Sequence, residues 1–507
     1  MKTRELIKCL EEKKTFNLLN TEVEGIACDS RKVKKDFLFV AMRGNKSDGH
    51  LFIKDAIDRG AKVIVTEKRS AVLPSDVSEI VVQDSRKALH RLAVEFYGNP
   101  SSRIKVAGIT GTNGKTTVSF ILRQILQHTG SKCGLIGTIS YQIGERIINS
   151  TNTTPESLDI QQFLHDMLEE GCEWAVMEAS SHGISQGRIE GIDFDSGIFT
   201  NIASHEHLDY HKNFKNYLEA KLEFFSRYLP SGNKKNKAGI INADDPYSKH
   251  FVKALEKSST KCVTYGRKKS DVQLNGYSIG KEGNLLKISF GKDEMEFRTK
   301  IKGISNIYNT LAAIAFAKSR EIPLEQVREA LEKLESVPGR FESVNAGQDF
   351  DVIVDYAHTH HALANLLSSA RKMNPSRIIV VFGCGGDRDR TKRPLMGNVA
   401  VKMADIAFIT SDNPRSEDPV KIIEDIERGI PFYRRRYVTI PDRRQAIYEA
   451  VKAARKGDCL VIAGKGHETF QIMKNTIVPF DDREEAKKAI AALGKKEREI
   501  NGKPEDR

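Results

Sequence analysis

The chain has 507 residues, 39% of them apolar and 29% charged, with a formal net charge of +12. That length exceeds what one hydrophobic core organises and points to about three domains. No apolar run approaches the ~20 residues of a membrane span, and the charged N-terminus "MKTRELIKCLEEKKTFNLLN" lacks a signal-peptide core. Seven scattered cysteines without a C-x-x-C pair read as free thiols in a reducing, cytoplasmic setting, with no zinc site and no disulfide frame. The positive charge suits nucleotides, phosphates and carboxylates as partners. Its lysines are mixed with glutamates and show no aromatic–basic interleaving, so nucleic acid is not an expected partner.

Residues 1–100 mix short apolar strands ("FLFVAM", "AKVIVTE", "EIVVQD") with helix-like stretches and close on the linker "EFYGNPSSR". From "IKVAGIT" onward, residues 101–336 alternate strands and helices: "KVAGIT", "WAVMEAS", "SGIFTNI", "AGIINAD" and "KCVTYG" read as buried strands of a parallel sheet. Between 271 and 300 the pattern switches to antiparallel hairpins with glycine turns. Residues 337–507 alternate again, through "DVIVDYAH", "RIIVVFG", "ADIAFITSD", "YVTIPD" and "CLVIAGKG", as a second doubly wound, Rossmann-like α/β domain. The expected fold is therefore α/β in three domains, with ligands at the carboxyl ends of the strands. The tail "GKKEREINGKPEDR" reads as a frayed, solvated terminus.

The strongest local signal is "VAGITGTNGKTTVSF", an apolar strand, a glycine-rich turn and an apolar helix. Its spacing is G-x-x-G-x-x-G-K-T, from Gly108, Gly111 and Gly114, with Ile109 where the strict Walker pattern has glycine. Backbone N–H groups of Gly111, Thr112, Asn113 and Gly114, at a helix N-terminus, suit phosphate oxygens. Lys115 would neutralise the β- and γ-phosphates, and Thr116, followed by Thr117, would hold Mg²⁺. This predicts nucleoside-triphosphate binding and leaves open a kinase, a GTPase, a motor or a ligase.

Further along come "NTTPES" (152–157), "MEASSHGISQGR" (177–188), "TNIASHEHLDYH" (200–211) and "YLEAKLEFF" (217–225). With "GTNGKTT", in this order, they closely resemble the Mur ligase family. "CDSRKVKKDFLFVAMRGNKSDGH" (28–50) is similar to the uridine-nucleotide-binding domain of the family's MurE-type branch. The resemblance spans nearly the whole chain. It implies an ATP- and Mg²⁺-dependent ligase that activates a carboxylate of UDP-MurNAc-L-Ala-D-Glu as an acyl phosphate during bacterial peptidoglycan synthesis. A monomer without membrane insertion is expected.

Residue by residue, the resemblance implies a catalytic and metal set of Lys115, Thr116, Glu178, His207 and Lys221, with Lys221 carbamylated so that it becomes an anionic ligand. Taken singly, Glu178 could cap a helix, His207 could be a satisfied loop histidine and Lys221 a surface lysine. The segment 200–211 carries one residue more than the usual spacing, and His207 is chosen over His205 because it keeps the His-Leu-Asp context. Asn306, Arg340 and Asp355 match the nucleotide side, the last two near the point where a C-terminal domain would close. "DYAHTHHAL" has His360 and His361 where the family usually has Pro-Asp, while Asp355 and His358 remain. Cys28, Ser30, Asn45, Lys46, Ser47, Asn152, Thr153, Thr154, Ser180, Gln186 and Arg188 match contacts to the nucleotide dipeptide.

The choice of amino acid rests on "TSDNPRSEDP" (410–419). Asp412, Asn413, Pro414 and Arg415 resemble the signature of branches that add meso-diaminopimelate. That substrate carries a carboxylate and an ammonium at each end, and lysine lacks the distal carboxylate. Arginine binds a carboxylate bidentately, so Arg415 is the expected reader of the distal carboxylate, with Asp412 and Asn413 at the ammonium. Arg388 matches a second carboxylate contact, and Gly464 and Glu468 of "GKGHE" complete the set. Residues 416–419 read as a solvated lead-in to a helix. A lysine-adding counterpart, folylpolyglutamate synthase and a basic phosphate-loop NTPase are the alternatives.

Overall fold

The computed structural model describes the chain apart from residues 45–46, 71–72, 205, 281, 434–435, 475 and 502–507, with backbone alone for 494–501. Asn45, Lys46, His205 and the last six residues of the tail therefore lie outside the described residues. The tail's earlier part is helical to Asn501. The chain divides into two compact units, 1–264 and 265–507.

The first unit opens with strands β1 (Lys13–Phe16), β2 (Gly25–Ala27), β3 (Phe37–Val40), β4 (Ala61–Thr66) and β5 (Ser78–Val82). They form a sheet of order β1-β5-β4-β3-β2, parallel except for β1. Next come β6 (Lys105–Thr110), β7 (Cys133–Ile136), β8 (Ser140–Ile143), β9 (Arg146–Asn149), β10 (Trp174–Glu178), β11 (Ser196–Phe199) and β12 (Ala238–Asn242). Their order is β12-β11-β6-β10-β7-β8-β9. The run from β12 to β7 is parallel and buried, and for that reason reads as continuous apolar sequence. The antiparallel strands β8 and β9 at this end of the sheet carried no clear pattern: the edge strand β9, "RIIN", is largely exposed.

The second unit takes up the end of β13 (Lys261–Gly266), where Tyr265 and Gly266 pair with β14 (Val272–Gly280). β14, β15 (Gly283–Phe290) and β16 (Asp293–Thr299) form the expected antiparallel meander. Beyond the helices Ile304–Ser319 and Leu324–Lys333 lie β17 (Glu342–Ser343), β18 (Asp351–Asp355), β19 (Ile378–Phe382), β20 (Ile406–Ile409), β21 (Tyr437–Thr439) and β22 (Cys459–Ala463). Their sheet order is β17-β18-β22-β19-β20-β21, parallel except for β17. Apolar side chains from the flanking helices cover both faces, Leu363 and Leu367 in one core, Ile447 and Val451 in the other. The hairpin β23 (Phe470–Met473) and β24 (Thr476–Pro479) stands apart from that sheet. All the loops that carry expected amino-acid-binding residues leave the carboxyl ends of β19, β20 and β22. All seven cysteines are free thiols. Among the described residues no helix is long and apolar enough to cross a membrane.

Candidate active site

β6 ends at Thr110, and the chain turns through Gly111–Gly114 into the helix Lys115–His128. A Cβ on Gly111 would collide with the Thr200 hydroxyl, and Gly114 has φ +90°. Both positions need glycine. Gly108 does a different job: it lies inside β6, where a Cβ would come within 2.6 Å of Phe224 and 2.8 Å of Phe194. The three-glycine spacing thus joins one packing glycine to two loop glycines. The Lys115 ammonium curls over the loop and donates to the carbonyls of Gly111 (2.9 Å) and Thr112 (3.0 Å).

Thr116 Oγ1 donates to Glu178 Oε2 at 3.1 Å. Glu178 ends β10, is fully buried, and also accepts from Thr138 N (2.8 Å) and Thr138 Oγ1 (2.9 Å). Gly137 leaves room for it, since a Cβ there would stand 2.5 Å from Glu178 Oε1. Thr138 escaped the sequence reading because it sits in the turn between β7 and β8, outside any motif. Thr116 and Glu178 converge as hard oxygen donors beside the phosphate loop, a set that fits a nucleotide-bound Mg²⁺.

Lys221, on the helix Phe214–Glu223, is 1% exposed, with its ammonium 4.7 Å from the centre of the Tyr217 ring. Tyr217 in turn shares a 2.8 Å hydrogen bond with Thr112 Oγ1. Burial, reinforced by the Lys115 charge and opposed by Glu206, drives Lys221 well below the ordinary lysine range. His207 has φ +58°, with its ring 5.1 Å from His182 and 5.8 Å from Tyr217. Burial also lowers His182 and pushes His211 down to about 4. This pocket therefore favours neutral amines and imidazoles. Among the described residues no three His, Cys, Asp or Glu side chains gather as a ready metal site. An anionic carbamate on Lys221 would suit a second cation in this pocket better than the lysine ammonium does.

The segment expected to meet the dipeptide is tied to the same centre. Thr153 and Thr138 hydroxyls lie 3.1 Å apart, and Thr154 Oγ1 donates to Glu178 O at 2.8 Å and accepts from Ser180 N at 2.9 Å. Ser180 caps the helix Ser181–Ser185 by accepting from Gly183 N, and Gln186 is its C-terminal cap. The exposed Asn152 is held through its backbone carbonyl, which accepts from Tyr141 OH at 2.7 Å. Arg188 donates to Thr154 O (2.8 Å) and faces Glu156 at 3.1 Å, and Glu156 also takes Arg86 at 3.1 Å. Glu156 was not singled out from sequence, although it lies inside "NTTPES". In the N-terminal sheet region Ser30 is buried and hydrogen-bonds Asp55, Ser47 is exposed, and burial pushes the Cys28 thiol up to about 12.

In the second unit, Asn306 is buried, donating to Lys302 O (2.8 Å) and accepting from Asn309 (2.9 Å). The Arg340 guanidinium lies 4.8 Å from the Tyr356 ring centre. The Asp355 carboxylate accepts from Phe341 N (2.7 Å) and Ala357 N (2.8 Å), and burial raises its pKa against the pull of Arg340.

The turn after β20 is built by hydrogen bonds to its neighbours. Asn413 Oδ1 accepts from Ile472 N (2.9 Å) and Lys465 (3.2 Å), and its Nδ2 donates to Glu468 Oε2 (2.9 Å). Lys465, fully buried and missed by the sequence reading, also pairs with Glu468 Oε2 at 3.0 Å. Arg415 has φ +54°, fixed by its N–H to Ile472 O (3.1 Å) and by Lys474 N donating to its carbonyl (2.6 Å). Its Nη1 donates to Gly386 O at 2.9 Å. Asp412 is buried close to Gly464, where a Cβ would lie 2.7 Å from Asp412 Oδ2. Pro414 is buried, and Arg388 is exposed on the loop after β19.

The reading of 416–419 as a solvated lead-in to a helix holds for the exposed Ser416 and Asp418 and is corrected for Glu417. Glu417 accepts from the fully buried Arg393 at 2.8 and 3.0 Å, from Arg390 at 2.9 Å and from Asp387 N at 2.6 Å. Ser416 bonds Asp387, and Asp418 caps the helix Pro419–Glu427. The buried partner lies more than twenty positions upstream, so local polarity misled.

A phosphate loop in one unit and a mixed-charge turn at the strand ends of the other mark a multidomain phosphate-loop protein. Residues 22–97 match the Mur ligase family catalytic domain, 109–317 the Mur ligase middle domain, and 339–466 the Mur ligase glutamate ligase domain. The chain belongs to the Mur ligase family. It is 44% identical to a curated protein of Caldanaerobacter subterraneus subsp. tengcongensis named UDP-N-acetylmuramoyl-L-alanyl-D-glutamate--2,6-diaminopimelate ligase, covering 93% of this chain and 95% of that one. A Clostridium tetani protein of the same name is 42% identical, over 97% and 100% of the two chains. A solved structure with that name aligns with TM-score 0.66 at 31% identity, over 93% of this chain and 95% of that one. MurF from Thermotoga maritima, solved with ADP, shares the fold at TM-score 0.62 and 16% identity, over 94% and 98% of the chains.

Proposed function

We propose that the chain is the ATP-dependent amide ligase that adds meso-2,6-diaminopimelate to UDP-MurNAc-L-Ala-D-Glu in peptidoglycan precursor synthesis. The observation that carries the choice of amino acid is the Asp412–Arg415 turn, where the Arg415 guanidinium is held by Gly386 O and Asn413 donates to the acid Glu468. The curated relatives named for that reaction support it. The working boundaries are 1–100 for the uridine-nucleotide domain, 101–336 for the ATP domain and 337–507 for the amino-acid domain. A cytoplasmic monomer is the working state.

The γ-carboxylate of the D-glutamyl residue attacks the γ-phosphorus of ATP. The bond to the bridging oxygen breaks, giving ADP and an acyl phosphate. Lys115 leaves the loop carbonyls for the phosphate oxygens and neutralises charge that builds between two anions. Mg²⁺ would be held by Thr116 and Glu178, with a second ion at His207 and carbamylated Lys221, and supplies further charge neutralisation. Thr138 keeps the Glu178 carboxylate aimed at Thr116. Arg188 releases Glu156 to take an anionic group of the nucleotide dipeptide. In the second unit, Arg415 and Arg388 read the carboxylates of diaminopimelate, while Asp412, Asn413 and Glu468 receive the ammonium. The other amine, deprotonated, attacks the acyl carbon, and the tetrahedral intermediate expels phosphate.

The test is phosphate release from ATP with UDP-MurNAc-L-Ala-D-Glu present, comparing diaminopimelate with lysine. Release that depends on diaminopimelate is expected. Release indifferent to both amino acids and stimulated by RNA or DNA would sink the ligase reading, and a preference for lysine would reassign the substrate.

A further inference from the structure

Arg443 opens the helix Arg443–Ala453 and is 1% exposed. Its guanidinium reaches the carboxyl ends of two strands. Nη2 donates to Ala463 O at 2.9 Å and Nη1 to Ser411 O at 3.3 Å. Those carbonyls belong to the residues immediately before Gly464 and Asp412. Nε and Nη2 also meet Asp482 Oδ1 and Oδ2, each at 2.7 Å, and Asp482 begins the last helix. The two strands concerned, β20 and β22, are not neighbours: β19 lies between them, so no backbone ladder joins their ends directly.

A cation in the first turn of a helix opposes the helix dipole, and its burial disfavours charge. Burial does work against the Arg443 charge, but Asp482, then Asp412 and Glu468, outweigh it and keep the guanidinium protonated. A Cβ on Gly464 would lie 2.7 Å from Asp412 Oδ2 and 3.9 Å from Arg443 Nη2, so the two arms meet directly above this side chain.

We propose that Arg443 is a positioning residue for the amino-acid substrate. Anchored on Asp482, its single guanidinium sets the separation between the Asp412–Arg415 arm and the Gly464–Glu468 arm, and makes the last helix part of the site. The inference rests on the amino-acid site proposed above. It adds two residues that never touch the ligand and a helix that no motif marks.

The experiment is steady-state kinetics of the full chain, varying diaminopimelate and ATP separately, with thermal unfolding alongside. The variants are Arg443→Lys and the double replacement Arg443→Met with Asp482→Leu. The double replacement removes both buried charges together, which folded proteins tolerate far better than removal of one. Both variants are expected to raise KM for diaminopimelate by about 10- to 100-fold, the scale of an ångström-sized misplacement. KM for ATP stays within about twofold and the preference for diaminopimelate over lysine falls, because a loosened site no longer matches the longer zwitterion. A folded variant with unchanged KM for diaminopimelate and unchanged preference overturns the inference, as does an equal rise in both KM values. Wild-type chain inert towards diaminopimelate would overturn the substrate reading and this inference with it. Active wild type with unaffected variants overturns the inference alone.

Discussion

Replacing Arg415 with methionine keeps the apolar stem and removes the guanidinium. The backbone should not change. Its left-handed φ of +54° is imposed by the Ile472 and Lys474 hydrogen bonds, which involve main-chain atoms only. Methionine bears the same backbone strain as arginine there. On the proposed reading, what is lost is a charge-assisted contact to the distal carboxylate, in a half-buried position. Hydrogen bonds to charged groups contribute about 1.5–3 kcal/mol each, and partial exposure brings a bidentate pair to about 2–4 kcal/mol in all. At 1.4 kcal/mol per decade, KM for diaminopimelate rises by about 30-fold to about 10³-fold. Lysine brings no distal carboxylate, so its KM stays the same or falls. The assay is amino-acid-dependent phosphate release at saturating ATP and nucleotide dipeptide, with the two amino acids run in parallel. A diaminopimelate KM within about twofold of wild type would remove Arg415 from substrate recognition, because even one exposed charged contact exceeds that change.

Lys115→Met should lower turnover by about 10²- to 10³-fold, as loss of one transition-state donor does, and phosphate release at saturating substrates measures it. Lys221→Arg should abolish activity, since a guanidinium forms no carbamate. Wild type in CO₂-free buffer should lose activity and regain it with bicarbonate, and ¹³C-bicarbonate should give a carbamate resonance absent from the variant. Insensitivity to bicarbonate, with no such resonance, would refute the carbamate. Glu417→Gln leaves the fully buried Arg393 with Asp425 as its remaining acid and should destabilise the second unit by about 3 kcal/mol, read as a lower urea midpoint. Hydrogen bonds from Arg393 hold the Glu417 pKa at about 2, against an ordinary 4.5. The carboxylate's contribution is therefore full above pH about 4.5 and is lost as pH falls towards about 2. The gap between wild type and Glu417→Gln must narrow over that window, and a gap that stays constant would show that Glu417 charge is not what stabilises.

The sequence made the parallel strands legible because burial on both faces writes them as unbroken apolar runs, as in "KVAGIT" and "RIIVVF". The phosphate loop was legible because its glycines and lysine are contiguous. Residues whose function lies in a contact across the fold were not. Thr138 steadies Glu178 from 40 positions away, and Lys465 pairs with Glu468 beneath Asn413. Arg393 turns Glu417 from apparent decoration into a buried anchor. Each is an ordinary polar residue in its own neighbourhood, and its role exists only after two loops have been brought together. Gly108 belongs to the motif's spacing but lies outside the loop, and its neighbours Phe194 and Phe224 give it a packing role.

Three basic side chains in the second unit, Arg393, Arg443 and Lys465, are at most 1% exposed. Buried cations are poor stabilisers, and well-packed apolar replacements of a whole ion pair are often neutral or better. Stability alone therefore does not account for them. Each one ties down a loop at the carboxyl end of the sheet: Arg393 holds Gly385 O and Glu417, Arg443 holds Ser411 O and Ala463 O, and Lys465 holds Asn413 and Glu468. Loops at such positions are ordinarily the mobile part of a domain. A substrate with a charged pair at each end demands several polar contacts at fixed separation, and a loose site would admit lysine as readily as diaminopimelate. Buried cations that hold these loops, Arg393 and Arg443 through backbone carbonyls and Lys465 through side-chain oxygens, fix those separations. On this account the specificity set by Arg415 depends on the three clamps beneath it, and weakening a clamp should lower discrimination between the two amino acids before it lowers the rate with either at saturation.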